Sequence, residues 1–259
     1  MTAPQPDPLV PPSAEAPAPE AGVPAAPRTR RGRLITLGWE GSRTLALALF
    51  GFLLIRATLF ELFKIPSASM EGTLLVGDFL VVNKLLYGAE VPLISGRLPA
   101  VRDPAIGDVV VFQWPQDVTK NFVKRLVGLP LDTLEMRRGV LLRNGIALRE
   151  RYATHRDLQF DPADEDFLWQ RDYLAPGLDA RRYHPSRNNW GPLVVPARHF
   201  FMLGDNRDNS LDSRYWGFVP DSLVRGSPIM VYYSYSPDSA ESFDWLRRVR
   251  WQRLGELIR

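Results

Sequence analysis

Cysteine is absent from the 259 residues, which excludes disulfides, thiol nucleophiles and cysteine-based metal sites. Its absence leaves the redox compartment open, although a chain without thiols is safe in an oxidising one. Lysine is scarce as well. Lys64, Lys84, Lys120 and Lys124 are the whole set beside 28 arginines, so chemistry that needs a neutral amine has four candidates. Histidine occurs three times, at His155, His184 and His199. A Ser-His-Asp triad therefore has no local support, and a metal site has less. The net charge is only +3, and no basic run is interleaved with stacking aromatics, so nucleic acid is not expected as a partner. What is present is apolar: 45% of the residues are hydrophobic, enough to bury a core and to exclude a wholly disordered chain. The length suits one good-sized domain or two small ones.

The composition is uneven along the chain. Residues 1–27 hold nine prolines and seven alanines with no Lys or Arg, and such a segment cannot offset the entropy of ordering. Residues 1–33 therefore read as a disordered tail with a basic end. Arg28, Arg30, Arg31, Arg33 and Arg43 precede the run TLALALFGFLLIRATLFELF, Thr44 to Phe63, interrupted only by Arg56 and Glu61. About 20 helical residues cross a hydrocarbon core of about 30 Å, and Arg or Glu near one end can snorkel. Residues 34–64 thus read as one transmembrane anchor, with a buried amphipathic helix as the alternative. Arginines confined to its N-terminal side put the tail in the cytoplasm and export the C-terminal domain.

From Ile65 the pattern becomes short apolar runs rich in Val, Phe and Tyr, separated by Gly, Pro and Asp. Examples are GDVVVFQW (107–114), NFVKRLVG (121–128) and HFFMLGD (199–205). Runs of this kind are strands, and Asn144-Gly145 supplies a hairpin turn between two of them. The exported part is mainly β: a core in two parts, 65–131 and 191–238, split by a smaller inserted lobe at 132–190. The basic segment 239–259 reads as a C-terminal helix, lying on the domain or membrane or simply solvated.

Three stretches carry candidate chemistry. In IPSASMEGTLLVGD (65–78) two serines, Ser67 and Ser69, flank one residue; alone, such a pair most often makes caps and turns. In NFVKRLVG, strand alternation puts Lys124 on a face with Phe122 and Leu126, and Arg125 on the other. A lysine on an apolar face loses hydration, its pKa falls, and it can take a proton from a serine hydroxyl. The bland alternative is an edge lysine facing solvent. The third stretch, FMLGDNRDNSLDSRYWGFVP (201–220), interleaves Asp205, Asp208 and Asp212 with Arg207 and Arg214. It lacks the calcium-loop order, and two arginines would repel a cation, so it reads as a rigid loop of carboxylate–guanidinium pairs.

Taken in order, IPSASMEGTLLVGD, GDVVVF, KRLVGLPLD and NWGPLVVPARHFFMLGDNRDNSLDSRYWGFVP resemble bacterial type I signal peptidases. The resemblance implies a β-rich catalytic core with a smaller inserted β lobe behind one N-terminal transmembrane helix. It implies Ser69 as nucleophile and Lys124 as general base, with the Ser67 hydroxyl and the Ser69 N–H as oxyanion donors and Ser210 orienting the lysine amine. Asp212 with Arg214, and Arg125 with Asp205, would be supporting ion pairs. Met70, Leu74, Phe122 and Val123 match positions that line pockets for small side chains. The implied activity is cleavage of signal peptides from exported preproteins after small-x-small sites. The enzyme would be a monomer at the inner membrane, with its catalytic domain on the outer face, needing no cofactor or metal and having signal peptides and the lipid bilayer as partners. A related protease with narrow clients and a tethered β domain that binds without cutting are the rivals. Two positions depart from the family pattern: Gly72 stands where proline is usual and Leu131 where glycine is usual.

Overall fold

The computed structural model describes residues 30–89, 96–237 and 248–258. Helix α1, Arg30–Leu59, gives way directly to strand β1, Phe60–Lys64. The strands that follow are β2 Asp78–Asn83, β3 Val109–Trp114, β4 Asp117–Gly128, β5 Thr133–Arg137, β6 Val140–Arg143 and β7 Ile146–Ala147. Then come β8 Trp190–Val194, β9 His199–Leu203, a one-turn helix α2 at Ser213–Trp216, β10 Val219–Pro220 and β11 Val224–Ser234. The pairings are antiparallel, in a seven-stranded sheet ordered β1-β2-β11-β3-β4-β9-β10 and a four-stranded sheet ordered β7-β6-β5-β8. The fold is mainly β, as the short Val-rich runs require.

Period-two alternation explains how the large sheet buries both faces. Val109 and Val111 of β3 join one core with Ile65, Met70, Leu74, Leu80 and Val123. Val110 and Phe112 point the opposite way, into a second core with Leu126, Met202 and Trp216. A third cluster, including Val127, Leu134, Trp190, Leu193 and Phe201, joins the two sheets. Strand β4 records the change of environment within one element: Val118 to Lys120 are exposed, whereas Val123 to Gly128 are buried on both faces. The β3–β4 hairpin projects freely at its tip, and deeper in the sheet β4 runs between β3 and β9. The polar residues in its buried half are Lys124 and Arg125. Between β6 and β7, Asn144 (φ 54°) and Gly145 (φ 80°) make the expected tight turn.

Several expectations are corrected. The proposed span 34–64 is not one helix: Phe60–Lys64 pair with β2 from Asn83 to Phe79. Among the described residues no helix is long and apolar enough to cross a membrane. The tail up to residue 29 lies outside the described residues. So do residues 238–247, on which part of the expected C-terminal helix falls; of the described remainder Arg248 is helical and residues 249–258 are not in an α-helix. Val249 bridges to Tyr235 and Leu257 to Met230, with a 3-10 turn at Trp251–Arg253 between them. Arg253 explains this course: it donates to both oxygens of the buried Asp78 at 2.7–3.1 Å and to Thr73 O at 3.0 Å. Strand β8, Trp190–Val194, which straddles the expected boundary at 190, pairs with β5 in the smaller sheet.

Candidate active site

Ser69 sits in a 3-10 turn, Ala68–Met70, inside the loop that joins β1 to β2. The loop is closed at its neck by backbone bonds, Ile65 N to Asp78 O at 2.8 Å and Gly77 N to Ile65 O at 3.0 Å. Met70 and Leu74 anchor it in the core. A second loop, after β9, holds the turn from the other side. Asn206 N donates to Ser69 O at 3.1 Å, and Asn206 Nδ2 donates to Ala68 O at 3.2 Å. The approach is close: a Cβ on Gly204 would lie 2.4 Å from Ser69 O and 2.1 Å from Ser210 Oγ.

Across the cleft, Lys124 Nζ stands 2.6 Å from Ser69 Oγ and also donates to Val123 O at 3.2 Å. Its amine is 5.4 Å from the Phe122 ring centroid, on the face that strand alternation assigned to both. Lys124 is 4% exposed. Burial pushes its amine down to about 8, against the opposing pull of the Asp212 and Asp205 charges. Neither carboxylate pairs with it, because each has its own arginine. Ser67 Oγ lies 3.4 Å from Ser69 Oγ.

The two ion pairs are fully buried. Arg125 binds Asp205 through Nε at 2.8 Å and an Nη at 2.7 Å, and its other donors reach Gly107 O and Thr73 Oγ1. Arg214 binds Asp212 in the same two-pronged way at 2.8 Å. Burial acts to raise the Asp212 carboxyl, but the Arg214 charge and hydrogen bonds outweigh it and hold it below the usual range. Ser210, Asp205 and Asp212 are thus brought together beside the Ser69–Lys124 pair. Ser210 Oγ, however, is buried without a hydrogen-bond partner, so the structure contains no Ser210–Lys124 hydrogen bond.

A cleft of about 430 Å³ opens over the pair, lined by residues that include Ser67, Ser69, Met70, Phe122, Val123 and Lys124. Leu74 does not line it; the side chain is 0% exposed and packs in the core beneath Met70. The cleft also takes in Phe63, Ile65, Pro66, Asn121, Asn209 and Leu211, which sequence reasoning missed. Leu211 carried a signal: it is the one apolar residue between Ser210 and Asp212, and it is 50% exposed. The departures are accounted for locally. Gly72 has φ +115°, outside proline's reach, and a Cβ there would meet Tyr152 O at 3.1 Å and Thr154 Cγ2 at 3.2 Å. Leu131 takes φ 69° on an exposed turn, where its side chain is 72% exposed.

Comparison with known proteins defines the class: residues 39–233 match a peptidase model described as "Signal peptidase, peptidase S26". The chain belongs to the signal peptidase family, peptidase S26. Among similar curated proteins, signal peptidase I of Pseudomonas aeruginosa is 39% identical over 204 residues, covering 73% of this chain and 70% of that one. Signal peptidase I of Pseudomonas fluorescens is 40% identical over 202 residues, covering 72% and 69%. A solved signal peptidase I from Enterococcus faecalis is 27% identical with a TM-score of 0.33, covering 49% of this chain and 98% of that one.

Proposed function

We propose that the protein removes N-terminal signal peptides from exported preproteins by a Ser/Lys mechanism, with Ser69 as nucleophile and Lys124 as general base. The observation that carries this reading is the 2.6 Å contact between a serine hydroxyl and a buried amine whose pKa is pushed down to about 8. Serine is a poor nucleophile without an adjacent base, and a lysine can serve once burial has made it neutral. Neutral Lys124 takes the Ser69 proton as Oγ bonds to the scissile carbonyl carbon. The oxyanion that forms is stabilised by the Ser67 hydroxyl and the Ser69 N–H. The lysine ammonium then gives its proton to the leaving amine, the C–N bond breaks, and an acyl ester on Ser69 remains. Water, deprotonated by Lys124, attacks the ester and returns Ser69 to its hydroxyl form.

The cleft floor favours small side chains, because Met70 and Val123 are almost fully buried and narrow it from below. This supports specificity for small residues at the first and third positions before the cut, as in Ala-x-Ala. Attachment to a membrane belongs to the same reading. Trp39, Leu45, Leu47, Leu49, Phe50 and Phe52 of α1 are each more than half exposed, and an apolar surface of that extent calls for a partner such as lipid. The arginines before it support a cytoplasmic N-terminus and a catalytic domain on the outer face.

The test is cleavage of a preprotein with an Ala-x-Ala site, in detergent or liposomes, by wild type, Ser69→Ala and Lys124→Ala across a pH series. Cleavage by wild type at the Ala-x-Ala bond, abolished in both variants, is expected. Activity that survives Lys124→Ala, or a well-folded wild type that does not cut, overturns the mechanism.

A further inference from the structure

The loop that seats Ser69 is itself gripped from outside, by a segment that does not line the cleft. Glu150 puts both carboxylate oxygens on Arg207, at 2.7 and 2.8 Å, and the two side chains are 7% and 0% exposed. Arg207 in turn donates from Nε to Gly204 O at 3.1 Å. Four residues on from Glu150, Thr154 exchanges backbone bonds with the same loop: its N–H reaches Asp205 O at 2.8 Å, and its carbonyl accepts from Arg207 N at 3.0 Å. Between them Tyr152 lays its ring 3.8 Å from the guanidinium carbon of Arg125, the partner of Asp205. This segment crosses directly over Gly72, whose missing Cβ leaves the space for Tyr152 O. On its inner side the gripped loop meets the carbonyls of Ala68 and Ser69 through Asn206.

We infer that Glu150 and Tyr152 are positioning residues for the reaction: residues 150–154 form a strap that fixes the Gly204–Arg207 loop and, through Asn206, the turn bearing Ser69. The inference rests on the proposed role of Ser69 and adds to it a function for part of the segment between the two core runs. None of residues 150–154 lines the cleft, so the strap acts on the placement of the nucleophile and leaves substrate contacts alone. Neither Glu150 nor Arg207 is among the charges that act on the Lys124 amine. Loosening the strap therefore lowers kcat while leaving KM and the acidic limb of the pH profile where they are.

The experiment uses the full chain in detergent and compares wild type with Glu150→Gln, Arg207→Gln, the double variant, Tyr152→Leu, and Arg149→Ala as an exposed control just before the strap. A loss of kcat of ~10- to 100-fold is expected for Glu150→Gln, with KM within about two-fold, as for a reacting atom displaced by a fraction of an ångström. Tyr152→Leu moves in the same direction, the control stays at the wild-type rate, and the double variant falls no further than the worse single one. Hydrogen exchange at the Asn206 amide supplies a readout that needs no turnover: it is slow in wild type and faster in Glu150→Gln. If wild type fails to cleave, the proposed function is lost, and exchange at Asn206 alone decides for or against the strap. If Glu150→Gln does not fold, Glu150→Asp, which keeps the charge but shortens the reach, takes its place. Unchanged exchange at Asn206, unchanged kcat in an active enzyme, or losses that add in the double variant overturn the inference.

Discussion

Replacing Lys124 by methionine should abolish cleavage and, at neutral pH, make the fold more stable. The amine is held at about 8 against an ordinary 10.5. At ~1.4 kcal/mol per unit, the protonated native state carries a penalty on the order of 3 kcal/mol. The variant also gives up hydrogen bonds to Ser69 Oγ and Val123 O, worth about 0.5–1.5 kcal/mol each, so the net gain at pH 7 is roughly 0–2 kcal/mol. The sign follows from proton binding. Below pH about 8 both folded and unfolded chains hold the proton, and the penalty is present in full. Between about 8 and 10.5 only the unfolded chain binds it, so wild-type stability rises with pH; above that window the penalty is gone. Urea or thermal melts of both proteins at pH 7, 9 and 10.5 should show the variant ahead at pH 7 and the difference shrinking as pH rises. Each kcal/mol appears as a shift of about 2–4 °C for a domain of this size. In parallel, kcat/KM of wild type should climb with unit slope to pH about 8 and then level off. A variant less stable than wild type at pH 7 with a gap indifferent to pH, or an acidic limb near 10, would refute the claim that burial lowers the pKa of this amine to about 8.

Further outcomes follow from the geometry. Leu131→Gly removes a left-handed leucine whose side chain is exposed; relief of ~1–2 kcal/mol of strain, less ~0.5–1 kcal/mol of added chain entropy, leaves a small gain, measurable as a raised Tm. Gly204→Ala sets a methyl 2.4 Å from Ser69 O, and the displaced turn should cost ~10² in kcat, read by single-turnover cleavage. Asp205→Ala strands the buried Arg125 and should destabilise by about 3–5 kcal/mol in urea titration.

How much of this was legible from sequence depends on how local each signal was. The alternation in Val109–Phe112 and around Lys124 reports burial on two faces within one strand, so the mainly β fold and the direction of Lys124 could be read from a few consecutive residues. Leu74 misled because it belongs to the same apolar pattern as Met70: both face inward, but only Met70 reaches the cleft. From Val249 on, the basic C-terminal segment that read as a helix is not one. Its course is set instead by Asp78, a partner 175 residues away that leaves no trace in local pattern. The Glu150–Arg207 pair was hidden for the same reason, lying in a stretch without periodicity whose partner is 57 residues further on.

The hold of Arg253 on Asp78 and on Thr73 O also sets an order of events during synthesis. The loop bearing Ser69 leaves the ribosome early, yet the guanidinium that neutralises the buried carboxylate at its neck is made 175 residues later. At ~5–20 residues per second that interval is roughly 10–35 s. Throughout it, Asp78 has no Arg253 to pair with, and the loop around Ser69 lacks that clasp. The loop bearing Ser69 thus receives its last side-chain clasp only once almost all of the described chain has been made.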